Sequence, residues 1–193
     1  MKSVSRNREN SLRIIAGEWR GRLLDFPDIQ GLRPTPDRVR ETLFNWLQSY
    51  VQGANCLDLF SGSGAMGFEA LSRGAAKVTM IEANKSAFLG LQRSVELLKG
   101  EAHVSLKHMD AFEFLKAEPE EQFDIIFVDP PYGKKWVSEC LSWLAKQDLL
   151  RRHGRVYIEY ESSLAPEQVI DEHWQVLKHK TAGQVTYGLL QAK

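Results

Sequence analysis

The sequence predicts an α/β protein in which a mainly parallel, seven-stranded β-sheet is covered by helices on both faces. Short apolar runs alternate with segments of helical periodicity, which is typical of a parallel sheet with crossover helices. Only Lys180–Gly183 separate the last two runs, too few residues for a parallel crossover, so the sheet should end in an antiparallel hairpin. Near the amino terminus, LRIIAGEWRGRLLDF contains two β-rich runs around a glycine turn, which predicts a small separate β-hairpin.

The strands are predicted where apolar residues run together between turn residues. They cover Asn55–Phe60, Lys77–Glu82, His103–His108, Phe123–Asp129, Gly154–Tyr160, Trp174–His179 and Gln184–Leu190.

Helices are predicted between most of the strands. The first, Pro36–Tyr50, has a clear beginning, with Thr35 as the N-cap and Pro36 at the first helical position. The others cover Gly67–Arg73, Ser86–Leu98, Ala111–Lys116 and Lys135–Leu144.

A chain of 193 residues fits one domain with a short appendage. We place a basic extension and the hairpin in residues 1–34 and the main domain in residues 35–193. The whole chain has 25 basic and 25 acidic side chains, but residues 1–24 hold six basic groups against two acidic ones. A basic segment in an otherwise balanced chain favours an anionic partner, although a solvated surface is the simpler alternative.

The sequence argues against a membrane, an export signal and a metal site. No apolar run approaches the roughly 18 residues of a spanning helix, and the amino terminus lacks a hydrophobic signal segment. We therefore expect a cytoplasmic protein. Cys56 and Cys140 lie in apolar stretches and are expected to be buried thiols, and the five histidines show no ligand spacing.

The first candidate site is the glycine-rich segment that follows the first main-sheet strand. There, Gly62, Gly64 and Gly67 form a G-x-G-x-x-G pattern between a predicted strand and a predicted helix. Glycines in this context let the backbone turn tightly and approach a ligand at a helix amino terminus. Glu82 ends the next strand, where a carboxylate can accept hydrogen bonds from ribose hydroxyls. The pattern predicts a nucleotide-type cofactor, either a dinucleotide or S-adenosylmethionine; the alternative is a glycine-rich turn in a cofactor-free domain.

The second candidate site is Asp129-Pro130-Pro131-Tyr132, at the carboxyl end of a buried strand. Open α/β sheets bind ligands at this edge. Two prolines restrict the chain, so the Asp129 carboxylate and the Pro130 carbonyl can face one spot as two acceptors, with the Tyr132 ring beside them. Such a group suits a planar ligand bearing an NH2, which favours S-adenosylmethionine chemistry. The alternative is a turn that merely ends a strand.

These motifs resemble a known family. The chain carries a glycine-rich D-x-F-x-G-x-G motif that begins with Asp58 and Phe60, followed downstream by D/N-P-P-Y/F. This pair of motifs resembles the amino-group branch of the class I S-adenosylmethionine-dependent methyltransferases. With RIIAGEWRGR, GLRPTPDRVRETLFNWL, LDLFSGSGAMGFEALSRGA, FVDPPY and AGQVTYGLL, almost the whole chain is similar to the bacterial 16S rRNA guanine-N2 methyltransferases of the small-subunit head. Some members carry Phe at the position of Tyr132, and both rings can stack.

The resemblance implies a Rossmann-like class I methyltransferase fold and roles for individual residues. The Gly62–Gly67 turn would approach the methionine part of the cofactor, Glu82 would hold the ribose, and Asp110 with Ala111 would meet the adenine. Asp110 is alternatively only the N-cap of the following helix. Because a carboxylate in an apolar strand needs a polar partner, we expect Asp58 to orient the glycine loop.

The substrate would be 16S rRNA, and the resemblance points to the assembled small subunit and a monomeric enzyme. A target base in structured RNA must be unstacked to reach the site. We expect phosphate contacts from basic residues of the hairpin and first helix, with Trp19 between those of the hairpin. These candidates are Arg13, Trp19, Arg20, Arg22, Arg33, Arg38 and Arg40. Trp19 could instead pack the hairpin onto the domain, and at most one of Arg38 and Arg40 should face the RNA.

Three other functions stay open at this point. D/N-P-P-Y also serves DNA adenine and protein glutamine methyltransferases, although the chain lacks an obvious target-recognition domain. A non-catalytic RNA-binding assembly factor could retain the fold. A nicotinamide oxidoreductase fits the glycine motif but has no need of Asp129-Pro130-Pro131-Tyr132.

Overall fold

The computed structural model describes residues 10–29, 35–133 and 135–193. Arg33, predicted to contact RNA, lies outside the described residues.

A seven-stranded sheet forms the centre of the protein, and a two-stranded sheet stands apart from it. The small sheet pairs β1 (Ser11–Arg13) with β2 (Leu23–Asp25) in antiparallel fashion, as predicted. The main sheet contains β3 (Asn55–Asp58), β4 (Lys77–Ile81), β5 (Val104–Lys107), β6 (Phe123–Val128), β7 (Leu150–Glu161), β8 (Trp174–Ala182) and β9 (Val185–Ala192).

The order across the main sheet is β5-β4-β3-β6-β7-β9-β8. Strands β3 to β7 are parallel, while β9 is antiparallel to both β7 and β8. The predicted sheet and its closing antiparallel hairpin are confirmed. The chain reverses direction across the sheet between β3 and β6, and in open α/β sheets ligands bind at such a switch point, outside the carboxyl ends of the strands.

Five helices connect or precede these strands: α1 (Asp37–Trp46), α2 (Ala65–Ser72), α3 (Lys85–Leu98), α4 (Ala111–Lys116) and α5 (Trp136–Leu144). The N-cap predicted for α1 is wrong by one residue. Pro36 is the N-cap, with an extended ψ of 144°, and the helix begins at Asp37; its hydrocarbon ring has no acceptor with which to make a side-chain capping bond. The hydroxyl of Thr35 is engaged elsewhere, with Asp129.

Two hydrophobic clusters lie on opposite faces of the main sheet. Along β3, Cys56 belongs to one cluster and Leu57 to the other, as the alternation of side chains in a strand requires. Apolar residues of α1, α2 and α3 join the Cys56 cluster, and those of α4 and α5 join the Leu57 cluster. Helices therefore cover both faces, and both cysteines are buried free thiols, as predicted.

The amino-terminal hairpin is fixed to the domain through a buried ion network. Glu69 of α2 is fully buried, and its two oxygens accept hydrogen bonds from the backbone N–H groups of Ile15 and Ala16, at 2.8 and 3.1 Å. Arg40 and Arg73 pair with the same carboxylate. A buried carboxylate is stable only when it is paired and hydrogen-bonded, so Glu69 fixes where the hairpin sits.

Candidate active site at the carboxyl edge of the sheet

The glycine loop between β3 and α2 is shaped by backbone angles that side chains disfavour. Gly62 and Gly64 have φ values of 51° and 82°. A Cβ built on Gly64 would meet the Phe68 ring at 2.3 Å. The turn therefore requires glycine at both positions, and at Gly64 the space of a side chain is already taken by Phe68 and Leu91.

Asp58 joins the end of β3 to the first turn of α2. Its side chain is buried, and its Oδ2 accepts a hydrogen bond from the N–H of Gly67 at 3.1 Å. Burial raises the pKa of Asp58 to about 7, while the Gly67 N–H opposes that rise. This is the contact that an orienting role in the glycine loop requires; the role itself stays a prediction.

Glu82 approaches the same loop from the end of β4. Its Oε2 accepts from the N–H of Gly62 at 2.8 Å, and its Oε1 accepts from the N–H of Asn84 at 2.6 Å. Each carboxylate oxygen can accept a second hydrogen bond, so the group keeps acceptor capacity for a ligand's hydroxyls. Its role as a ribose ligand stays a prediction.

Asp110 is the N-cap of α4, the alternative that the sequence left open. Its Oδ1 accepts from the N–H groups of Phe112 and Glu113, at 2.8 and 3.3 Å. Capping occupies one oxygen and does not exclude a contact from the other, so the adenine role of Asp110 and of buried Ala111 also stays a prediction.

Phe60, predicted with the glycine motif as a cofactor-binding residue, belongs to an aromatic cluster beside this cap, and sequence reasoning missed its two partners. Its cofactor contact stays a prediction. Phe60 stacks on Trp136 with ring centroids 5.9 Å apart, and Phe112 meets both rings edge-on. The three rings come from the glycine loop, α5 and α4. The signal available was an aromatic residue near each of three strand ends, but without the topology nothing indicated that they meet.

Asp129 follows β6 directly and is partly buried at the switch point. The Thr35 hydroxyl donates a hydrogen bond to its Oδ2 at 3.1 Å. Burial raises the pKa of Asp129 to about 6, and the Thr35 hydroxyl opposes this rise because it stabilises the ionised form. At neutral pH Asp129 is therefore predominantly an acceptor.

The rest of the second motif forms the wall of an open pocket. Pro130 is buried and Pro131 is exposed, whereas the Tyr132 side chain is 53% exposed. These three residues line the pocket together with residues of α5 and the end of β7. Glu161 accepts a hydrogen bond from the N–H of Gly133, which anchors the turn after Tyr132. An exposed ring on an anchored turn is available for stacking.

A buried carboxyl of β7, that of Glu159, lies next to Asp129 and was also missed. Val128 pairs with Ile158, so the next residues, Asp129 and Glu159, continue the same register on adjacent strands and face the same side. The Tyr157 hydroxyl donates to Glu159 Oε1 at 2.6 Å. Burial and the charge of Asp129 raise the pKa of Glu159. Alternation in β7 was the available signal, but a predicted core strand gave no reason to expect a buried acid.

Arg40 is not an RNA-binding residue; that expectation is wrong. Its side chain is fully buried, and it donates hydrogen bonds to the carbonyls of Arg13 and Thr35 and to the carboxylates of Asp37 and Glu69. Like Val39 and Leu43, Arg40 lies on the buried side of α1, so its guanidinium pairs with groups inside the protein.

The other predicted RNA contacts remain available at the surface. Arg13, Arg20, Arg22 and Arg38 are exposed. Arg22 donates to the carbonyl of Leu97 at 3.3 Å, which holds its guanidinium against α3. The Trp19 side chain is partly buried against the core, and the backbone N–H of Trp19 donates to the Ser72 hydroxyl at 3.0 Å, so this residue packs the hairpin onto the domain. That is the alternative the sequence left open for Trp19, and RNA contact by any of these residues stays a prediction.

Within residues 10–29, 35–133 and 135–193, no helix is long and apolar enough to cross a membrane. Over the same ranges, no group of three or more His, Cys, Asp or Glu side chains is arranged to hold a metal ion.

Comparison with known proteins connects the chain to methyltransferases. The model of the family described as conserved hypothetical protein 95 matches residues 12–191. A ribosomal RNA small subunit methyltransferase D of Haemophilus influenzae is 42% identical over 188 residues, 96% of each chain. A solved putative methyltransferase of Escherichia coli superposes with a TM-score of 0.86 at 41% identity, covering 95% of this chain and 98% of that one. A putative methyltransferase solved in complex with SAH shares the fold at 18% identity, with a TM-score of 0.63 over 78% of this chain and 48% of that one.

Proposed function

The chain belongs to the conserved hypothetical protein 95 family and to the family of ribosomal RNA small subunit methyltransferase D, and we propose that it methylates the exocyclic N2 amine of a guanine in 16S rRNA with S-adenosylmethionine as the methyl donor. The proposal is carried by two motifs that meet at one edge of the sheet, the glycine loop with its carboxylates and the Asp-Pro-Pro-Tyr turn. The glycine loop with Asp58 and Glu82 lies beside the end of β6, where Asp129 begins the Asp-Pro-Pro-Tyr turn.

The described residues fit S-adenosylmethionine. Glu82 retains acceptor capacity for ribose hydroxyls after it bonds the loop. The Phe60, Phe112 and Trp136 cluster adds an aromatic wall near Asp110. Glu82, Asp110, Ala111 and the Gly62–Gly67 turn would hold the cofactor, which supplies a methyl group activated by a positively charged sulfur.

Asp129 prepares the acceptor amine. The lone pair of an exocyclic amine is delocalised into the base, so it is a poor nucleophile until acceptors hold its hydrogens and favour a pyramidal nitrogen. The Asp129 carboxylate and the Pro130 carbonyl would accept those two hydrogens, while Tyr132 would stack on the base. As the amine nitrogen takes the methyl group and the methyl–sulfur bond breaks, that nitrogen becomes acidic, and Asp129 would accept its proton. Positioning and electrostatics then supply most of the catalysis.

The RNA would approach the edge that carries Tyr132. Arg13, Arg20, Arg22 and Arg38 are exposed cations on the hairpin and α1, and we assign them phosphate contacts. The enzyme would act as a monomer on assembled small subunits in the cytoplasm.

Methyl transfer from labelled S-adenosylmethionine tests the function. The acceptors are unmodified small ribosomal subunits, free 16S rRNA and duplex DNA, and mass spectrometry identifies the product nucleoside. N2-methylguanosine in a ribosomal sample is expected, more in subunits than in free rRNA. Methyladenine in DNA, or no transfer to any acceptor while the cofactor binds, would overturn the proposal.

The variant Asp129→Ala tests the mechanism. We expect turnover to be abolished, because the amine loses its acceptor, while the dissociation constant for S-adenosylmethionine changes by less than roughly tenfold, since the loop and Glu82 are intact. Isothermal titration calorimetry measures the binding. An equal loss of binding and turnover would mean that Asp129 is structural.

A further inference from the structure

Thr35 connects the start of α1 to the candidate active site. It precedes α1, its side chain is buried, and its hydroxyl donates to Asp129 Oδ2 at 3.1 Å across 94 residues of sequence. Its hydroxyl does not cap the helix, since the N-cap is Pro36. Because this buried hydroxyl does not cap α1, it can bond a group outside the helix. That group is the carboxylate of Asp129, the candidate catalytic residue.

The backbone of Thr35 is fixed from the other side by Arg40. The Arg40 Nε donates to the Thr35 carbonyl at 3.2 Å, and its Nη2 donates to the Arg13 carbonyl at 2.8 Å. Nη1 lies 3.4 Å from Glu69 Oε2, the oxygen that accepts from the N–H of Ile15. Thr35 is therefore held by the network that seats the hairpin, and its hydroxyl has little freedom to leave Asp129.

The two oxygens of the Asp129 carboxylate have different surroundings. Oδ2 is occupied by Thr35, whereas within the residues that the structure describes Oδ1 has no hydrogen-bond partner. A carboxylate fixed at one oxygen cannot rotate freely, so the direction of its other oxygen is set before the substrate arrives.

We propose that Thr35 is a positioning residue for methyl transfer, which fixes Asp129 through Oδ2 and leaves Oδ1 directed at the acceptor amine. This rests on the proposed function, in which Asp129 accepts a hydrogen of that amine.

The charges around Asp129 make the hydroxyl more important. Asp58 at the end of β3 and Glu159 on β7 are acidic groups that interact with Asp129, and Tyr132 and Tyr157 face it as well. All of these groups are acidic, so none of them stabilises the Asp129 carboxylate by opposite charge. The Thr35 hydroxyl lowers the pKa of Asp129 against the effect of burial. Its removal should therefore raise the pH at which Asp129 becomes ionised.

The test compares Thr35→Val, which keeps the shape and removes the hydroxyl, with Thr35→Ser, which keeps the hydroxyl. Thr181→Val on the edge strand β8 is the matched control, because its hydroxyl contacts Thr186 at 3.0 Å. We expect kcat of Thr35→Val to fall roughly 10- to 100-fold. The acid limb of its profile of kcat against pH should move to higher pH by about one unit. The KM for S-adenosylmethionine and its calorimetric dissociation constant should stay within about threefold of wild type. Thr35→Ser should recover most of kcat and return the acid limb to its place.

The outcomes separate this proposal from its premise. A wild-type enzyme without transfer would overturn the proposed function itself. An active wild type with Thr35→Val of equal kcat and unshifted pH profile would overturn the role of Thr35 alone. Weaker cofactor binding that accounts for the whole loss would make Thr35 a cofactor ligand, and failure of Thr35→Ser to rescue would make its role steric; both contradict the proposal.

Discussion

Arg40→Met removes the centre of the buried ion network and should destabilise the protein strongly. The Arg40 side chain is fully buried, with 0% of its surface accessible to solvent, and so is that of Glu69. Methionine fills similar volume with an apolar chain, but it leaves the carbonyls of Arg13 and Thr35 without their donor. The remaining Glu69 carboxylate keeps Arg73 and two backbone N–H groups.

The magnitude follows from the burial of both partners. Breaking a buried ion pair by removing one partner costs about 3–5 kcal/mol, because a buried charge loses compensation. The second ion-pair partner, Asp37, has a side chain that is 63% exposed, so its charge remains hydrated and adds little to the cost. Against a total stability of about 5–15 kcal/mol, the loss would be a large share of the free energy of unfolding.

Urea unfolding at equilibrium, followed by far-UV circular dichroism, measures the change. Arg38→Met is the matched control, since Arg38 is an exposed arginine on the same helix. The control should stay within about 0.5 kcal/mol of wild type. A loss below about 1 kcal/mol for Arg40→Met would refute the reasoning. If such a stable variant also bound rRNA less tightly, Arg40 would be a surface contact after all.

Two further predictions concern the glycine loop. Gly64→Ala should lower the free energy of unfolding by roughly 1–3 kcal/mol and weaken S-adenosylmethionine binding, because the added Cβ strains a left-handed backbone and meets Phe68. The control is Gly53→Ala, which has a φ of 72° and open space around it and should show the backbone strain alone. Equal effects of the two substitutions in urea unfolding and in calorimetry would contradict the predicted clash with Phe68. The pKa of Asp58 is raised to about 7, so its contribution to stability is fully present below its unfolded pKa of about 4 and is lost as pH rises to about 7. Wild type should therefore lose stability relative to Asp58→Asn between about pH 4 and pH 7, and parallel plots of stability, measured by urea unfolding, against pH in that window would contradict this.

The sequence predicted the fold well because its signals are local. The central strands are buried apolar runs, and β6, Phe123–Val128, is almost entirely buried on both faces, as is typical of a central parallel strand, whereas the edge strands β5 and β8 are more exposed. The antiparallel ending followed from the length of one loop. Boundaries were less certain: β7 begins at Leu150, four residues before the predicted strand, because Arg151–His153, which lie within the strand, are exposed and polar.

The candidate site could be predicted only where one short segment carries the chemistry. The glycine loop and Asp129–Tyr132 are contiguous motifs, whereas Glu159 and the aromatic cluster depend on which strands become neighbours. Arg40 shows a second limit. An arginine beside other arginines suggests a basic surface, and only the packing of α1 against Glu69 reveals that this charge is internal.

The errors at Thr35 and Arg40 have a common physical origin. Thr-Pro before a helical pattern favours an N-cap, but a hydroxyl can either accept from the helix or donate to an outside acceptor, and local sequence cannot decide between them. The partly buried Asp129 carboxylate decides, since leaving it without a donor costs more than leaving the first turn of an exposed helix end to water. Arg40 then lies one turn into α1, where its guanidinium reaches the Thr35 carbonyl. The same tertiary contact thus displaced the cap, buried the arginine and placed a donor on the candidate catalytic acid.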